Sequence, residues 1–184
     1  MIMAMYPLSH IILILLLSTI SLSFHNKNNA QHITSLHFTG YLHEKFNKTI
    51  YFTFKGQKRS AKSASNPFGS LLAYNEPLTE TPNPSSKLLG NMEGSGVTSS
   101  FNGDRMTFIC RSKLKIKGYE GEILNVGSAS FTKLSELPIV GGTGDFRFAQ
   151  GYIIQSDMFK GIGGASYYKV DFHVYWPPFS VLAH

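Results

Sequence analysis

The stretch SYYKVDFHVYW, residues 166 to 176, alternates without interruption. Tyr168, Val170, Phe172, Val174 and Trp176 share one parity, and Lys169, Asp171 and His173 share the other. Side chains on a β-strand point to opposite faces with a period of two, so this pattern predicts a strand with one buried and one wet face. No long segment carries a 3.6-residue period that would compete with it. The alternation returns in RMTFICRSKLKI, where Met106, Phe108, Cys110, Leu114 and Ile116 share a side with Ser112. In ITSLHFTGYLHEK it sets Leu36, Phe38 and Leu42 against His37, Tyr41 and His43. TIYFTF, FGSLLAY and GEILNVGSASF are further β-rich runs, and Asn102-Gly103 is a strong turn signal. FGSLLAY is read as a short strand closed by the proline-dense loop NEPLTETPNPSSK, and Ser86 to Phe101 is ambiguous, a weak strand at most. Strands this apolar on one face and this charged on the other predict a closed, up-and-down antiparallel barrel around an aromatic-lined cavity.

The segment IVGGTGDFRFAQGY, residues 139 to 152, tests a different idea. A dinucleotide fingerprint needs Gly-x-Gly-x-x-Gly before a helix, and counting from Gly142 the third glycine position holds Arg147. A P-loop would need Gly-Lys-Ser or Gly-Lys-Thr, which is absent. The glycines are therefore read as a turn, and Phe146, Phe148 and Tyr152 as the strand after it.

Residues 1–23 contain no Asp, Glu, Lys or Arg, and Ile11 to Leu17 is unbroken and apolar. With small residues at Ser21 and Ser23 this reads as a secretory signal peptide, cleaved after Ser23. The polar residues 24–32 read as disordered, and residues 33–184 as the barrel domain. No second hydrophobic run is present, so the expectation is an extracellular protein that engages no membrane. Asn47-Lys48-Thr49 is the one acceptable glycosylation sequon, because Asn83-Pro84-Ser85 carries proline in the middle. Lys and Arg exceed Asp and Glu for a net charge of +6, concentrated at Lys55, Lys58, Arg59 and Lys62 and again at Arg111, Lys113, Lys115 and Lys117. These runs read as solvated faces, or as an attraction to an acidic wall polymer rather than to nucleic acid. A single cysteine, Cys110, excludes an intrachain disulfide and reads as a small buried residue. His32, His37 and His43 match no metal-binding spacing, and no Gly-x-Ser-x-Gly elbow is present, so neither a metal nor a serine nucleophile is expected.

Taken in order, GYLHE with Asn47-x-Thr49, FGSLLAYNEPLTETPNPSSKLLG, GYEGEIL, ELPIVGGTGDFRFAQGY and YYKVDFHVYW make the chain resemble the plant dirigent family from about Leu36 to Trp176. The resemblance implies an eight-stranded antiparallel barrel of the allene oxide cyclase type, a cavity at one end, a homodimer or homotrimer, and secretion to the apoplast. It also implies an activity without cofactor. A separate laccase or peroxidase generates phenoxy radicals from monolignols such as coniferyl alcohol, and the protein, with no oxidase activity of its own, holds two of them so that they couple stereoselectively on the way to lignans. Orientation is the main contribution a protein can make to so easy a coupling. A dehydratase or cyclase acting through a quinone methide, and a non-catalytic wall-binding protein, are the alternatives.

Carried across residue by residue, the resemblance places an acid at Glu44 and an aromatic at Tyr168. The paired acids before Pro-Leu-Thr fall on Asn75 and Glu76. Two arginine positions hold Ser135 and Gln150, and the acid position after GYEGEIL finds only Ser128 or Ser130. Glu44 and Glu76 are thus the candidate acids for protonating a quinone methide. Tyr41, Tyr168 and Phe172 are the candidate substrate-binding aromatics.

Overall fold

The computed structural model of the chain describes residues 34–57, 66–156, 158–161 and 165–177. The signal-peptide and polar-segment readings, and the basic residues Lys58, Arg59 and Lys62, lie outside them. The described residues form ten strands and no helix: β1 Thr34–Glu44, β2 Ile50–Phe54, β3 Leu71–Thr79, β4 Leu88–Thr98, β5 Arg105–Ile116, β6 Tyr119–Ser130, β7 Ser135–Gly144, β8 Gln150–Gln155, β9 Phe159–Lys160 and β10 Ser166–Trp176. Every strand pair is antiparallel. The path runs β1-β10-β8-β7-β6-β5-β4-β3, and β3 returns to β1 at Tyr41–Thr79 and Leu42–Leu78, closing an eight-stranded barrel. β2 extends β3 beyond the barrel, and β9 attaches to one end of β10.

The alternation in β10 is realised residue for residue. Tyr168, Val170, Phe172, Val174 and Trp176 are all buried, while Lys169, Asp171 and His173 face outward. Each fully buried apolar side chain of this size contributes roughly 1.5–3 kcal/mol. β1 matches it in register from Thr34–Trp176 to Glu44–Ser166, and Phe38 stacks on Phe172 with ring centroids 4.4 Å apart. One end of the barrel is plugged. Trp176 stacks with Tyr119 and Phe146, and its indole N–H donates to the Asp145 carbonyl at 3.1 Å. β5 and β6 join through Lys117 and Gly118, both at positive φ, the backbone that a two-residue hairpin turn requires.

Three expectations are corrected. First, β3 does not stop at Tyr74 but runs on through Asn75, Glu76 and Pro77 to Thr79. Along one edge it pairs continuously with β4, but its other edge is divided between β2 at Leu71–Tyr74 and β1 at Leu78–Thr79. Pro77 falls in the gap between them, where its missing N–H costs no ladder bond. Second, Leu88–Thr98 is a full strand paired on both sides, despite its glycines and serines. Third, the order within the glycine segment is reversed. Gly141, Gly142 and Gly144 finish β7, and Asp145 to Ala149 form the turn. A Cβ on Gly142 would lie 2.4 Å from the Phe146 carbonyl oxygen and 2.5 Å from that of Glu122, so the tight return of the chain needs glycine there. The return carries Phe146 inward, fully buried, as part of the plug.

Two members of the basic run, Arg111 and Lys115, are paired with acids on neighbouring strands. Arg111 pairs with Glu93 and Glu122, and Lys115 with Glu120 at 2.8 Å. Such exposed pairs contribute little to stability, but they offset the positive run.

Candidate active site

Opposite the plug the barrel interior opens into a chamber. Strand alternation aims its polar groups inward: Glu44 from the end of β1, Tyr74 and Glu76 from β3, Cys110 from β5, Gln155 from β8 and Tyr168 from β10. Leu42, Met92, Leu137 and Ile153 form the apolar wall, and Phe108 and Phe131 add aromatic faces. The chamber has a volume of about 40 Å³, room for a few waters at roughly 10–15 Å³ each. A vestibule of about 400 Å³ lies outside it, sharing Glu44, Ile50, Leu72, Phe131 and Tyr168 and adding Phe46, Phe52 and Met158. Phe131 stands at the junction of the two. Its position is held by the turn between β6 and β7, where Ser130 and Thr132 donate to the Asp104 carboxylate at 3.0 and 2.7 Å and the Phe131 N–H donates to the Asp104 carbonyl at 3.2 Å.

The electrostatics of the chamber are one-sided. No Lys, Arg or His is among its described lining residues. Glu76 is 3% exposed and its Oε1 has no hydrogen-bond partner. Burial, and then the nearby charge of Glu44, push its carboxyl up to about 9, so it is a neutral acid at neutral pH. Burial also raises Glu44, although the Tyr168 hydroxyl, donating to its Oε2 at 3.4 Å, works in the opposite direction. Tyr168 and Tyr74 stay protonated far above the ordinary phenol range, chiefly through burial. Tyr74 donates to Cys110 Sγ at 2.7 Å across Gly94, which lies between them in the register and has no side chain to intervene. Burial pushes the Cys110 thiol up to about 11, which keeps it protonated. The arrangement can therefore donate protons from a neutral carboxyl inside an apolar and aromatic enclosure.

Of the residues singled out from sequence, Glu44, Glu76 and Tyr168 meet in the chamber. Glu76 is not in a solvated proline loop but in the middle of β3, because Pro77 occupies the gap between β2 and β1 and leaves the strand intact. Tyr41 lies on the outer side of β1, edge-on to Tyr167 with centroids 6.1 Å apart, and is not among the lining residues. Phe172 is fully buried against Phe38 and is likewise not among them. Asn47 is exposed in the turn between β1 and β2, at φ 59°. Ser135, in an arginine position of the resemblance, is occupied in the β6–β7 turn, its Oγ accepting the Ser130 N–H at 2.9 Å and donating to the Lys133 carbonyl at 3.2 Å. Gln150 is exposed. Tyr74 and Gln155 join the chamber without being candidates from sequence. Tyr74 carries a usable signal, since it shares parity with Leu72 and Glu76 once β3 is allowed to pass through Pro77.

Comparison with known proteins agrees with the fold and gives the family. A family model described as Dirigent-like protein matches residues 34–175. Dirigent protein 1 of Arabidopsis thaliana is 30% identical over 135 residues, covering 66% of this chain and 74% of that protein. Pterocarpan synthase 1 of Glycyrrhiza echinata is 32% identical over 111 residues, covering 59% of this chain and 54% of its own length. Among solved structures, a pterocarpan synthase dirigent protein superposes with a TM-score of 0.66 at 23% identity, covering 78% of this chain and 96% of that one.

Proposed function

Since the chain belongs to the dirigent family, we propose that its chamber takes the quinone methide ring of a phenolic substrate, the rest of which lies in the vestibule, and closes it stereoselectively, with Glu76 as the proton donor. The observation that carries this reading is the carboxyl pair. Glu76 is buried and neutral with one oxygen unpartnered, while Glu44 lies nearer the vestibule with a phenol to stabilise its charge. Two carboxyl groups whose surroundings separate their protonation states divide the acid and base roles between them. In the closing step the Glu76 carboxyl gives its proton to the carbonyl oxygen of the quinone methide. An internal hydroxyl adds to the methide carbon, forming the C–O bond, and its proton passes to the Glu44 carboxylate. The ring regains aromaticity, and no electrons are exchanged with a cofactor. Tyr168, Phe108 and Phe131 fix which face of the methide meets the hydroxyl. That relatives of the chain are pterocarpan synthases supports a reading in which a dirigent barrel makes a product itself.

A second reading, orientation of two monolignol radicals supplied by a laccase or peroxidase, is favoured by the aromatic vestibule. The inner chamber has no room for two phenolic rings, whereas Phe46, Phe52 and Phe131 offer faces for a second one outside it.

Chiral chromatography of two reactions tests both. One uses a phenolic benzylic alcohol with an internal hydroxyl, which reaches the quinone methide by losing water; the other uses coniferyl alcohol with laccase. Under the acid reading, Glu76→Gln lowers the rate of closure by roughly 10²–10⁴-fold, the contribution of a positioned general acid. Wild-type rates in Glu76→Gln, with enantiomeric excess retained only in the laccase reaction, would establish the orienting role instead.

A further inference from the structure

On the outer wall of the barrel, away from the chamber, His37 of β1 and His173 of β10 stand directly opposite each other in the strand register. Their Nδ1 atoms are 3.0 Å apart, and the rings meet edge to face with centroids 4.9 Å apart. Each ring is held from another side. Tyr152 of β8, next in register, stacks on His173 at 4.6 Å, and Tyr175 meets His37 edge-on at 5.4 Å. The His37 carbonyl accepts a hydrogen bond from Lys117 Nζ at 3.2 Å, which fastens the β5–β6 hairpin to the same strand. The pair is at the surface, and the closure chemistry of the chamber makes no use of it.

We propose that His37 and His173 form a surface chelate for a divalent transition-metal ion, with Cu²⁺ the best fit. When the pair is empty, one Nδ1 must carry a proton so that the other can accept it. With both protons moved to Nε2, two lone pairs are left on nitrogens 3.0 Å apart, and rotation of the rings turns them toward a common point. Cis ligands with metal–nitrogen bonds of about 2.05 Å are separated by roughly 2.9 Å at a 90° angle and roughly 3.3 Å at a tetrahedral angle. The observed 3.0 Å is close to the first value, the tetragonal arrangement that Cu²⁺ and Ni²⁺ favour, and Cu²⁺ binds nitrogen ligands more tightly than its neighbours in the series. The two strands preset this spacing, so only ring rotations are needed. No third His, Cys, Asp or Glu completes a metal-binding group among the described residues, which leaves the other coordination positions to water or to an outside ligand. Asp171 shares the outer face of β10, but its carboxylate is occupied by Thr39 at 2.5 Å and Lys169 at 2.8 Å; it adds negative charge to the neighbourhood without joining the ion. Tyr152, stacked on His173, and Tyr175, edge-on to His37, act as positioning residues, restricting how far each imidazole can turn away.

Sequence spacing hides this pair, because its members are 136 residues apart and only the β1–β10 pairing joins them. Titration of the purified chain with Cu²⁺, followed by calorimetry and electron paramagnetic resonance, is the test. The expected result is one equivalent bound with two imidazole nitrogens in the equatorial plane. His37→Gln and His173→Gln should each lower the affinity by at least about tenfold, since even the loss of an outer partner of a metal ligand costs that much. The double variant should lose little more than either single one, as two ligands of one ion act together. Cu²⁺ should also raise the melting temperature of the wild type and not of the variants. Unchanged affinity in either single variant would overturn the proposal, by placing the ion on other histidines of the chain. Tighter binding of Zn²⁺ than of Cu²⁺ would overturn the choice of metal.

Discussion

The proton that the proposed closure would draw from Glu76 also makes the stability of the barrel depend on pH. In the unfolded chain its carboxyl ionises near the ordinary value of 4.5, whereas in the folded chain it holds its proton up to about 9. Between those values the folded state binds a proton that the unfolded state has released, so stability falls as pH rises through the window, by up to about 1.4 kcal/mol per pH unit. Denaturant melts of wild type and Glu76→Gln at several pH values should show this slope in the first and a flatter line in the second. Equal slopes would mean that the carboxyl is not held neutral. Activity should track the same proton and decline as pH approaches 9. Glu44, Tyr168 and Glu76 are all legible in the sequence as candidates, yet only the first two are legible as inward-facing. Their strands alternate cleanly, whereas Glu76 precedes a proline that ordinarily ends a strand. What rescues the strand is a gap between two partners on one edge, a tertiary fact with no local signal. Cys110 shows the opposite case: its parity alone predicts burial, and it is buried.

At the level of elements, β5, β6 and β10 are readable because period two, hairpin turns and apolar faces all agree. The β7–turn–β8 unit is misordered in the sequence reading because glycine ordinarily marks the bend. Here it marks a crowded strand end. Gly142 faces backbone oxygens, which cannot rotate away as a side chain can. Gly142→Ala should therefore cost at least about 1–3 kcal/mol, the usual penalty for overpacking. For a chain of this size that corresponds to a fall in melting temperature of roughly 2–4 °C per kcal/mol, measurable by calorimetry. Gly141→Ala tests a different element of the same strand end, since nothing lies within 4 Å of a Cβ there and only its backbone angle, φ +156°, resists the change. A Gly142→Ala protein as stable as wild type would show that β7 can shift to admit a methyl group. β4 is hard to read for a related reason. Glycine and serine weaken strand propensity, but pairing with β3 and β5 on both sides outweighs it.

Across the eight barrel strands, closure removes the pair of free edges that an open sheet would have to protect. It does not remove apolar surface from the outer wall. Ile109 is 62% and Val140 58% exposed, and Leu124 and Val126 extend the same face across β5, β6 and β7. An exposed apolar strip of this kind is the feature expected where a second chain docks. A homodimer or homotrimer would cover it, and sedimentation analysis is expected to give two or three chain masses. Ile109→Lys, a charge placed where a second chain would bury it, should shift the population to monomer while the barrel stays folded by circular dichroism. A monomeric wild type would leave that strip to a different partner.

The barrel wall is one residue thick, and this has a consequence at Asn75 and Glu76. Asn75 points outward into a polar row, accepting from Asn91 at 3.0 Å and donating to Glu93 at 3.1 Å, while its neighbour faces the chamber. Adjacent residues therefore face unrelated surroundings, Asn75 the outer polar row and Glu76 the inside of the chamber. A substitution on the outside, such as Asn75→Asp, leaves the lining of the chamber unchanged. Such a scaffold can diversify its reactions and its associations separately, in alternate columns of the same strands.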